Sequence, residues 1–221
     1  MGRKANVALL AGVLALIALI GGASLIVSQT KVSPDAVRSS VLRSEADIEK
    51  AWKLPAAATF KKQVVWQSNP SMCGPASVAN ALRSLGETAS SEDAVLAGTG
   101  RCWSGFCFMG LTLDELADVT RSKTKRTVTV LRDLSAEEFQ RHLRLANDPG
   151  RRYIINFSRK EIFGAGAGHH SPIGGYLEAE DKVFVLDVNR EFGSWLVERA
   201  RLFAAMDTLD GMEKRGLLLI E

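Results

Sequence analysis

A cysteine followed by a helical pattern is the first residue in this chain that could do chemistry. After Cys73, the apolar residues Val78, Leu82 and Leu85 recur at helical spacing, which predicts an amphipathic helix beginning at Cys73. A helix N-terminus lowers the pKa of a thiol and favours the nucleophilic thiolate. The competing interpretation is a small buried hydrophobic residue, the common fate of a free cysteine. The position of Cys73 by itself favours neither.

A thiol nucleophile needs a base, and the chain has three histidines. His142 is predicted on the surface of a helix. His169 and His170 follow the glycine-rich stretch 164–168, which would let the backbone approach a site closely. A histidine pair can indicate a metal site, but no further histidine or nearby acidic ligand accompanies this one. The pattern therefore favours catalysis over metal binding.

Asp187 and Gln67 are candidates for the supporting roles. Asp187 lies in an apolar run, and a semi-buried carboxylate there could orient an imidazole. It could equally cap a turn at the end of a strand. Gln67 lies six residues before Cys73, where its amide could donate to an oxyanion together with the Cys73 backbone N–H.

The register of one predicted hairpin decides whether the histidine and the aspartate meet. If the hairpin turns tightly around residues 179–181, Asp187 lies opposite Gly174 and not opposite His169. A bulge at Gly174 and Gly175 would change that register. The sequence leaves this point open.

Periodicity and capping signals predict an α+β fold, with helices mainly in the first half and an antiparallel sheet in the second. Thr112 with Glu115, and Ser135 with Glu138, match the capping box that starts a helix. The predicted strands are 62–66, 128–131, 153–157, 173–177, 183–188 and 217–220.

The first thirty residues carry a targeting signal. Arg3 and Lys4 precede the uncharged, mainly apolar stretch 5–30, which is typical of a signal peptide or an N-terminal membrane anchor. Residues 31–58 are predicted to form a tether and a helical lead-in, and residues 59–221 the catalytic domain. The positive-inside rule then places that domain on the periplasmic side of the cytoplasmic membrane.

Composition excludes several classes of protein. The chain has 221 residues, of which 46% are hydrophobic, and a net charge of +3, so an ordinary globular domain is expected. The sequence has no basic run with interleaved aromatic residues, so it gives no indication of nucleic-acid binding. Cys102 and Cys107 could pair in an oxidising compartment, which would leave Cys73 as the unpaired thiol.

Four segments of the chain resemble phytochelatin synthases in their short bacterial form. The segments are QSNPSMCGPAS at 67–77, LTLDEL at 111–116, GHHSPIGGY at 168–176 and LDVNR at 186–190. The resemblance extends over about residues 60–220. It implies a papain-like fold with a catalytic triad of Cys73, His169 and Asp187 and with Gln67 at the oxyanion hole. It selects His169 over His170, because the family's histidine directly follows the glycine.

The resemblance also implies the substrate. Enzymes of this family cleave glycine from glutathione and hold γ-glutamylcysteine as a thioester before passing it to a second glutathione or to water. The residues that the likeness assigns to substrate binding are Gly168, Arg190, Asp210 and Arg215. No tightly bound cofactor or protein metal site is implied, since cadmium and zinc act as glutathione thiolates. The partners expected are glutathione, heavy-metal ions through it, and the membrane; a homodimer is left open.

Two other functions are weighed against this one. A papain-like peptidase that trims double-glycine leader peptides also has Gln six residues before Cys-Gly, but the string 168–176 favours the glutathione enzyme. A membrane-anchored binding domain with a vestigial triad is the second alternative. The intact Cys73, His169, Asp187 and Gln67 argue against it.

Overall fold

The computed structural model describes residues 31–102, 105–107 and 110–221. The expected signal or anchor at 1–30 lies outside these residues. No helix in the described part is long and apolar enough to cross a bilayer. Nine helices are described: α1 Pro34–Ser40, α2 Glu45–Trp52, α3 Pro55–Thr59, α4 Cys73–Ser84, α5 Glu92–Leu96, α6 Leu113–Arg121, α7 Ala136–Leu145, α8 Arg159–Phe163 and α9 Arg199–Met206.

A six-stranded antiparallel sheet forms the centre of the second half. Its spatial order is β1-β8-β2-β3-β4-β5. The strands are β1 Val128–Leu131, β2 Arg152–Ser158, β3 Gly168–Leu177, β4 Lys182–Leu186, β5 Ser194–Glu198 and β8 Leu217–Ile220, and a separate small hairpin consists of β6 Leu209–Asp210 and β7 Glu213–Lys214. Helices and an antiparallel sheet therefore make an α+β fold, as predicted.

Local sequence explains where the helices begin and end. Both predicted capping boxes are formed, Thr112 with Glu115 at α6 and Ser135 with Glu138 at α7. Helix α4 begins at Cys73 and is followed by Gly86, whose φ of 79° suits a residue without a Cβ. The helix predicted after Cys73 is confirmed, and it places the sulfur at the first helical residue.

Residues 34–59 largely coincide with the segment expected to be a tether and helical lead-in, and much of this segment is helical. They form helices α1 to α3, and side chains from these helices belong to the same hydrophobic clusters as the sheet. Trp52 packs edge-on against Phe184 of β4, with ring centroids 5.1 Å apart. The packing of these helices on the sheet was not predicted, because helices this short have too little periodicity to reveal their buried face.

The strand predicted at 62–66 is not formed. Residues 63–66 have no strand partner in the described structure, and the side chain of Asn80 pairs with the backbone of Val65 instead. The N–H of Val65 donates to Asn80 Oδ1 over 2.8 Å, and Asn80 Nδ2 donates to the Val65 carbonyl over 2.8 Å. An extended pattern predicts the local conformation, whereas the identity of the pairing partner is a tertiary property.

Strands β3 and β4 are paired with a bulge at the two glycines. Gly175 lies opposite Phe184, but Ile173 lies opposite Val185, so Gly174 is an extra residue on β3. This is the register change that the sequence allowed at these glycines.

The bulge determines whether Asp187 lies on the same face of the sheet as His169. Ile173 is paired with Val185, and extending this register by two residues puts Asp187 opposite Ser171. Ser171 lies on the same face of the sheet as His169, because side chains alternate between the two faces along a strand. Without the bulge Asp187 would come opposite Pro172, on the other face. Diagonal neighbours on one face are within reach of long side chains, so the bulge lets the histidine and the aspartate meet.

Only glycine fits at these two positions. A Cβ on Gly174 would lie 2.6 Å from the ring of Phe184. Gly175 has a φ of 150°, and a Cβ there would lie 2.6 Å from Asn147 and 2.7 Å from Leu54. The glycine pair is therefore required by the packing on both faces of the bulge.

Replacing Gly174 with alanine should destabilise the fold by about 1–3 kcal/mol, the usual cost of overpacking a filled site. Thermal unfolding of the full chain measures this. Gly150→Ala is the matched control, because Gly150 is exposed and its added Cβ would meet only Asp148, at 3.3 Å. Equal stability of the two variants would contradict a tightly packed bulge.

Candidate active site

Cys73 is the nucleophile candidate and sits in a small buried cluster. Its side chain is 6% exposed and packs with Ala76 and Val188. As the first residue of α4, it lies where the helix presents unpaired backbone N–H groups and the positive end of its dipole. This position favours a negatively charged sulfur.

Two imidazoles approach the Cys73 sulfur from the start of β3. His170 Nδ1 lies 3.8 Å from Cys73 Sγ, and the charge of His169 lowers the pKa of the same thiol. His169 is distinguished by its second contact, because its Nε2 lies 2.9 Å from Asp187 Oδ1. That contact engages Nε2 and leaves Nδ1 as the ring nitrogen of His169 that could exchange a proton with the thiol. The structure thus brings together Cys73, His169 and Asp187.

The electrostatics of the pair favour thiolate and imidazolium. Burial by itself would raise the pKa of the Cys73 thiol, but the charge of His169 and hydrogen bonds from His169 and His170 outweigh burial, so this pKa lies well below its ordinary value. Burial and Arg159 lower the pKa of His169, whereas Asp187 and Cys73 raise it, and the net change is upward. Both shifts stabilise the charged forms, as expected for an activated thiol.

Asp187 is completely buried and accepts several hydrogen bonds. Besides His169, the Asn189 backbone N–H donates to Oδ1 over 2.8 Å, and Trp195 Nε1 donates to Oδ2 over 3.3 Å. Burial would raise the pKa of this carboxyl, but the charges of His169 and Arg159 hold it well below its usual range. Asp187 is therefore ionised, and it fixes the orientation of the imidazole.

Arg159, like Asn156 described below, is a residue of this site that the sequence did not reveal. Its guanidinium nitrogen donates to Asp187 Oδ1 over 3.1 Å and lies 2.9 Å from His169 Nε2. The same guanidinium lies over the ring of Phe192, 4.5 Å from the centroid. Arg159 begins α8, and no motif marks it. The one available signal was physical, since a buried carboxylate beside a thiolate requires more positive charge than one imidazolium supplies.

Gln67 lies just upstream of the nucleophile, as expected, in the loop before α4. Its backbone N–H donates to the Val188 carbonyl over 2.9 Å, and its Nε2 donates to the Asn69 carbonyl over 3.1 Å. A primary amide has a second N–H on the same nitrogen, which stays available for an oxyanion. The oxyanion role of Gln67 remains a prediction.

A cavity of about 650 Å³ opens beside the sulfur. Its lining includes Cys73 and His170 together with Asp210 and Arg215. Asn156 of β2 joins the charged pair: its Nδ2 donates to Asp210 Oδ2 and its Oδ1 accepts from Arg215, both over 2.8 Å. The cavity therefore offers one anion and one cation at a short distance from the nucleophile.

Gly168 allows the arginine to reach this cavity. A Cβ on Gly168 would lie 2.2 Å from Arg215 Nη1, so a side chain there would displace the guanidinium. Gly168, Asp210 and Arg215 are thus brought together as the sequence suggested. Arg190 is not: it is exposed in the turn after β4 and is not among the residues that line the cavity. The assignment of Arg190 to substrate binding remains a prediction.

A disulfide joins Cys102 and Cys107, and Cys73 is the free cysteine. The loop that it closes is tied to the segment before the nucleophile. Asn69 Nδ2 donates to the Gly105 carbonyl over 3.0 Å, and the Cys107 N–H donates to Ser71 Oγ over 3.1 Å. This loop forms part of the cavity wall.

The chain is similar in sequence to known proteins. Residues 27–217 match the family described as phytochelatin synthase. The glutathione gamma-glutamylcysteinyltransferase of Schizosaccharomyces pombe is 28% identical over 186 residues, which cover 74% of this chain and 42% of that protein. Glutathione gamma-glutamylcysteinyltransferase 2 of Arabidopsis thaliana is 30% identical over 177 residues, covering 70% of this chain and 37% of that protein. The chain thus spans less than half the length of these two relatives.

The fold has a counterpart among solved structures. A crystal structure described as a C39-like peptidase from Bacillus anthracis superposes with a TM-score of 0.54 and covers 73% of this chain and 96% of that one. The sequence identity is 13%, so this likeness concerns the fold. The fold is papain-like, as predicted.

Replacing Arg159 with methionine should raise the pKa of the His169 imidazole, because the guanidinium charge lowers that pKa and methionine keeps the packing on Phe192. NMR titration of the histidine rings measures the change. Arg199→Met is the control, since Arg199 is paired with Asp181 instead. An unchanged or lower His169 pKa in folded Arg159→Met would show that Arg159 does not act on the imidazole.

Proposed function

Because the chain belongs to the phytochelatin synthase family, we propose that it is a glutathione γ-glutamylcysteinyltransferase. It forms a γ-glutamylcysteinyl thioester on Cys73, releases glycine, and passes the acyl group to a second glutathione or to water. The observation that carries the proposal is a buried Cys73 thiol whose pKa is lowered by the Asp187-bound imidazole of His169, beside a cavity with one carboxylate and one guanidinium.

Acylation follows from the two charged forms at the site. The Cys73 thiolate attacks the carbonyl carbon between the cysteinyl and glycyl residues of glutathione. The backbone N–H of Cys73, unpaired at the start of α4, and the Gln67 amide donate to the resulting oxyanion. The His169 imidazolium then gives its Nδ1 proton to the glycine nitrogen, the C–N bond breaks, and neutral glycine amine leaves the thioester behind.

Deacylation reverses the proton flow. Neutral His169 takes a proton from the acceptor, which is either the α-amine of a second glutathione or a water molecule. The acceptor attacks the thioester carbonyl, the C–S bond breaks, and the sulfur leaves as thiolate. The imidazolium and the thiolate are thereby restored together, and Asp187 holds the ring in place throughout.

The charged pair in the cavity suits the γ-glutamyl end of glutathione. That end carries an α-ammonium and an α-carboxylate on one carbon. Asp210 complements the ammonium, and Arg215, whose guanidinium can bind a carboxylate through two hydrogen bonds, complements the carboxylate. In the unliganded chain the two residues neutralise each other, with Arg215 nitrogen 3.2 Å from Asp210 oxygen, which keeps the buried guanidinium paired.

Cadmium and zinc enter this scheme through the substrate. Thiolates are the ligands that such soft metals prefer, so the ions convert glutathione into metal thiolates without occupying a site on the protein. The transfer reaction then consumes these thiolates as acceptors.

The disulfide supports placing the enzyme outside the cytoplasm. Pairing of Cys102 with Cys107 suits an oxidising compartment, and the basic, apolar stretch 1–30 suits export. We therefore propose a periplasmic catalytic domain, either anchored by this stretch or released from it.

Glycine release tests the activity directly. The full chain incubated with glutathione, with and without cadmium or zinc, should release free glycine and carry γ-glutamylcysteine on the peptide that contains Cys73. Both products are measured by mass spectrometry. Cys73→Ser should lower glycine release by at least about a thousandfold, because an unactivated hydroxyl replaces the thiolate.

Three other results would each contradict the proposal. Folded protein that yields neither glycine nor an adduct is inactive on glutathione. Glycine release that survives in Cys73→Ser would mean that another group is the nucleophile. Cleavage of a double-glycine leader peptide in place of glutathione would favour the peptidase alternative.

Asp210→Asn should separate recognition of the α-ammonium from the chemistry. The substitution keeps an oxygen for Asn156 but removes the negative charge, so kcat/KM for glutathione should fall about tenfold or more, the effect of a lost charge-assisted hydrogen bond. Glutaryl-cysteinylglycine, which lacks only the α-amino group, is the matched substrate. Wild type and variant should use it equally well. An equal loss on both substrates would show that Asp210 acts only on the structure of the pocket.

A further inference from the structure

His170 has contacts that the triad does not explain. It follows His169 on β3, where successive side chains point to opposite faces. The ring of His170 is 3% exposed, its Nδ1 lies 3.8 Å from Cys73 Sγ, and its Nε2 is buried without a partner among the described residues. A histidine that serves only packing normally has both ring nitrogens satisfied by the protein.

The position of the His170 ring is fixed by its backbone. Ser77 Oγ, one turn into α4, donates to the His170 carbonyl over 3.0 Å, and His170 pairs with Asn156 across β2 and β3. The strand and the helix that carries Cys73 are thereby joined at this residue. The approach of the second imidazole to the sulfur is therefore built into the fold.

From this geometry we propose that His170 is a second catalytic imidazole, which donates a hydrogen bond from Nδ1 to the Cys73 thiolate. The inference rests on the proposed function in that Cys73 must act as a nucleophile. In the Nδ1–H tautomer His170 needs no proton transfer, and its Nε2, buried without a partner among the described residues, would be a hydrogen-bond acceptor.

The division of labour between the two histidines follows from their contacts. His169 is bound to Asp187 and carries the proton between thiol, glycine and acceptor. During deacylation His169 takes the proton of the acceptor, and the departing sulfur still accepts a hydrogen bond from His170 Nδ1. His170 thus stabilises the negative sulfur in both half-reactions, while the proton balance stays with His169.

The other ionisable groups around His170 are few. Cys73 faces it from α4, His169 is its neighbour on β3, and Asp210 and Arg215 line the same cavity. Asp210 and Arg215 carry opposite charges, His169 is an imidazolium in the resting pair, and the Cys73 thiolate is the anion that contacts His170 Nδ1. This agrees with the lowering of the Cys73 pKa by His170 in addition to His169.

The test measures the reactivity of Cys73 and needs no glutathione. Iodoacetamide alkylates the thiolate, and peptide mass spectrometry of the full, unreduced chain reports Cys73 alone because Cys102 and Cys107 are paired. His170→Phe keeps the size of the ring but removes the donor. Its alkylation rate at about pH 6 should fall about tenfold or more, since hydrogen bonds to charged groups are the stronger ones.

At high pH, where the thiol is fully ionised in both proteins, the alkylation rates should agree within about twofold. His142→Phe is the control, because His142 contacts Tyr153 and not the active site; it should match wild type throughout. Equal rates at low pH in folded His170→Phe and wild type would overturn the proposal. A parallel loss at every pH would also overturn it, since this would mean blocked access.

If His170→Phe does not fold, ring ¹⁵N spectra of the wild-type chain decide the point. Alkylation of Cys73 removes the anion, and the His170 Nδ1–H signal should shift as its acceptor is lost. A His170 ring that is insensitive to alkylation would exclude the hydrogen bond. Because neither measurement uses glutathione, a chain that is inactive on glutathione would leave this result readable.

Discussion

The carboxylate of Asp187 is buried out of contact with water, and the residues that compensate its charge also organise the site. An isolated carboxylate in such a place would be neutral. His169, Arg159, the Trp195 ring N–H and the Asn189 backbone N–H keep Asp187 charged. The ionised aspartate in turn raises the proton affinity of the imidazole, and the imidazolium keeps the Cys73 sulfur ionised. The chain of charges runs from a guanidinium, through a carboxylate and an imidazole, to the thiolate at the end of a helix.

Two local features of the fold position these charged groups. Helix α4 presents Cys73 on its first residue, and the bulge at Gly174 puts Asp187 on the face of the sheet that His169 occupies. Neither feature depends on loop flexibility, because the bulge is held by close packing against Phe184 and the helix by its contact with His170. Precise placement on regular elements is what a catalytic group needs, since small displacements cost large factors in rate.

Local patterns predicted the parts of this structure that depend on neighbouring residues. The helix after Cys73, both capping boxes, two strands with their bounds, the α+β class and the family membership were all accessible. The missed features depend on distant contacts. Asn80 replaces a strand beside Val65, and Arg159 reaches Asp187 from a helix that no motif marks. Arg190, which the family likeness assigns to substrate binding, is exposed in the turn after β4. The hairpin register was undecidable because one bulged residue reverses the face of every residue beyond it.

Ionisation of the resting nucleophile is the claim on which the account depends, and the ultraviolet absorbance of thiolate measures it. The difference in absorbance between the wild-type chain and Cys73→Ser should persist as the pH is lowered to about 6, well below the ordinary thiol pKa of about 8.5. It should disappear only when the ion pair with His169 is protonated. A difference that appears only above about pH 8.5 would mean that Cys73 rests as a neutral thiol, which would contradict the charge arrangement from which the chemistry was derived.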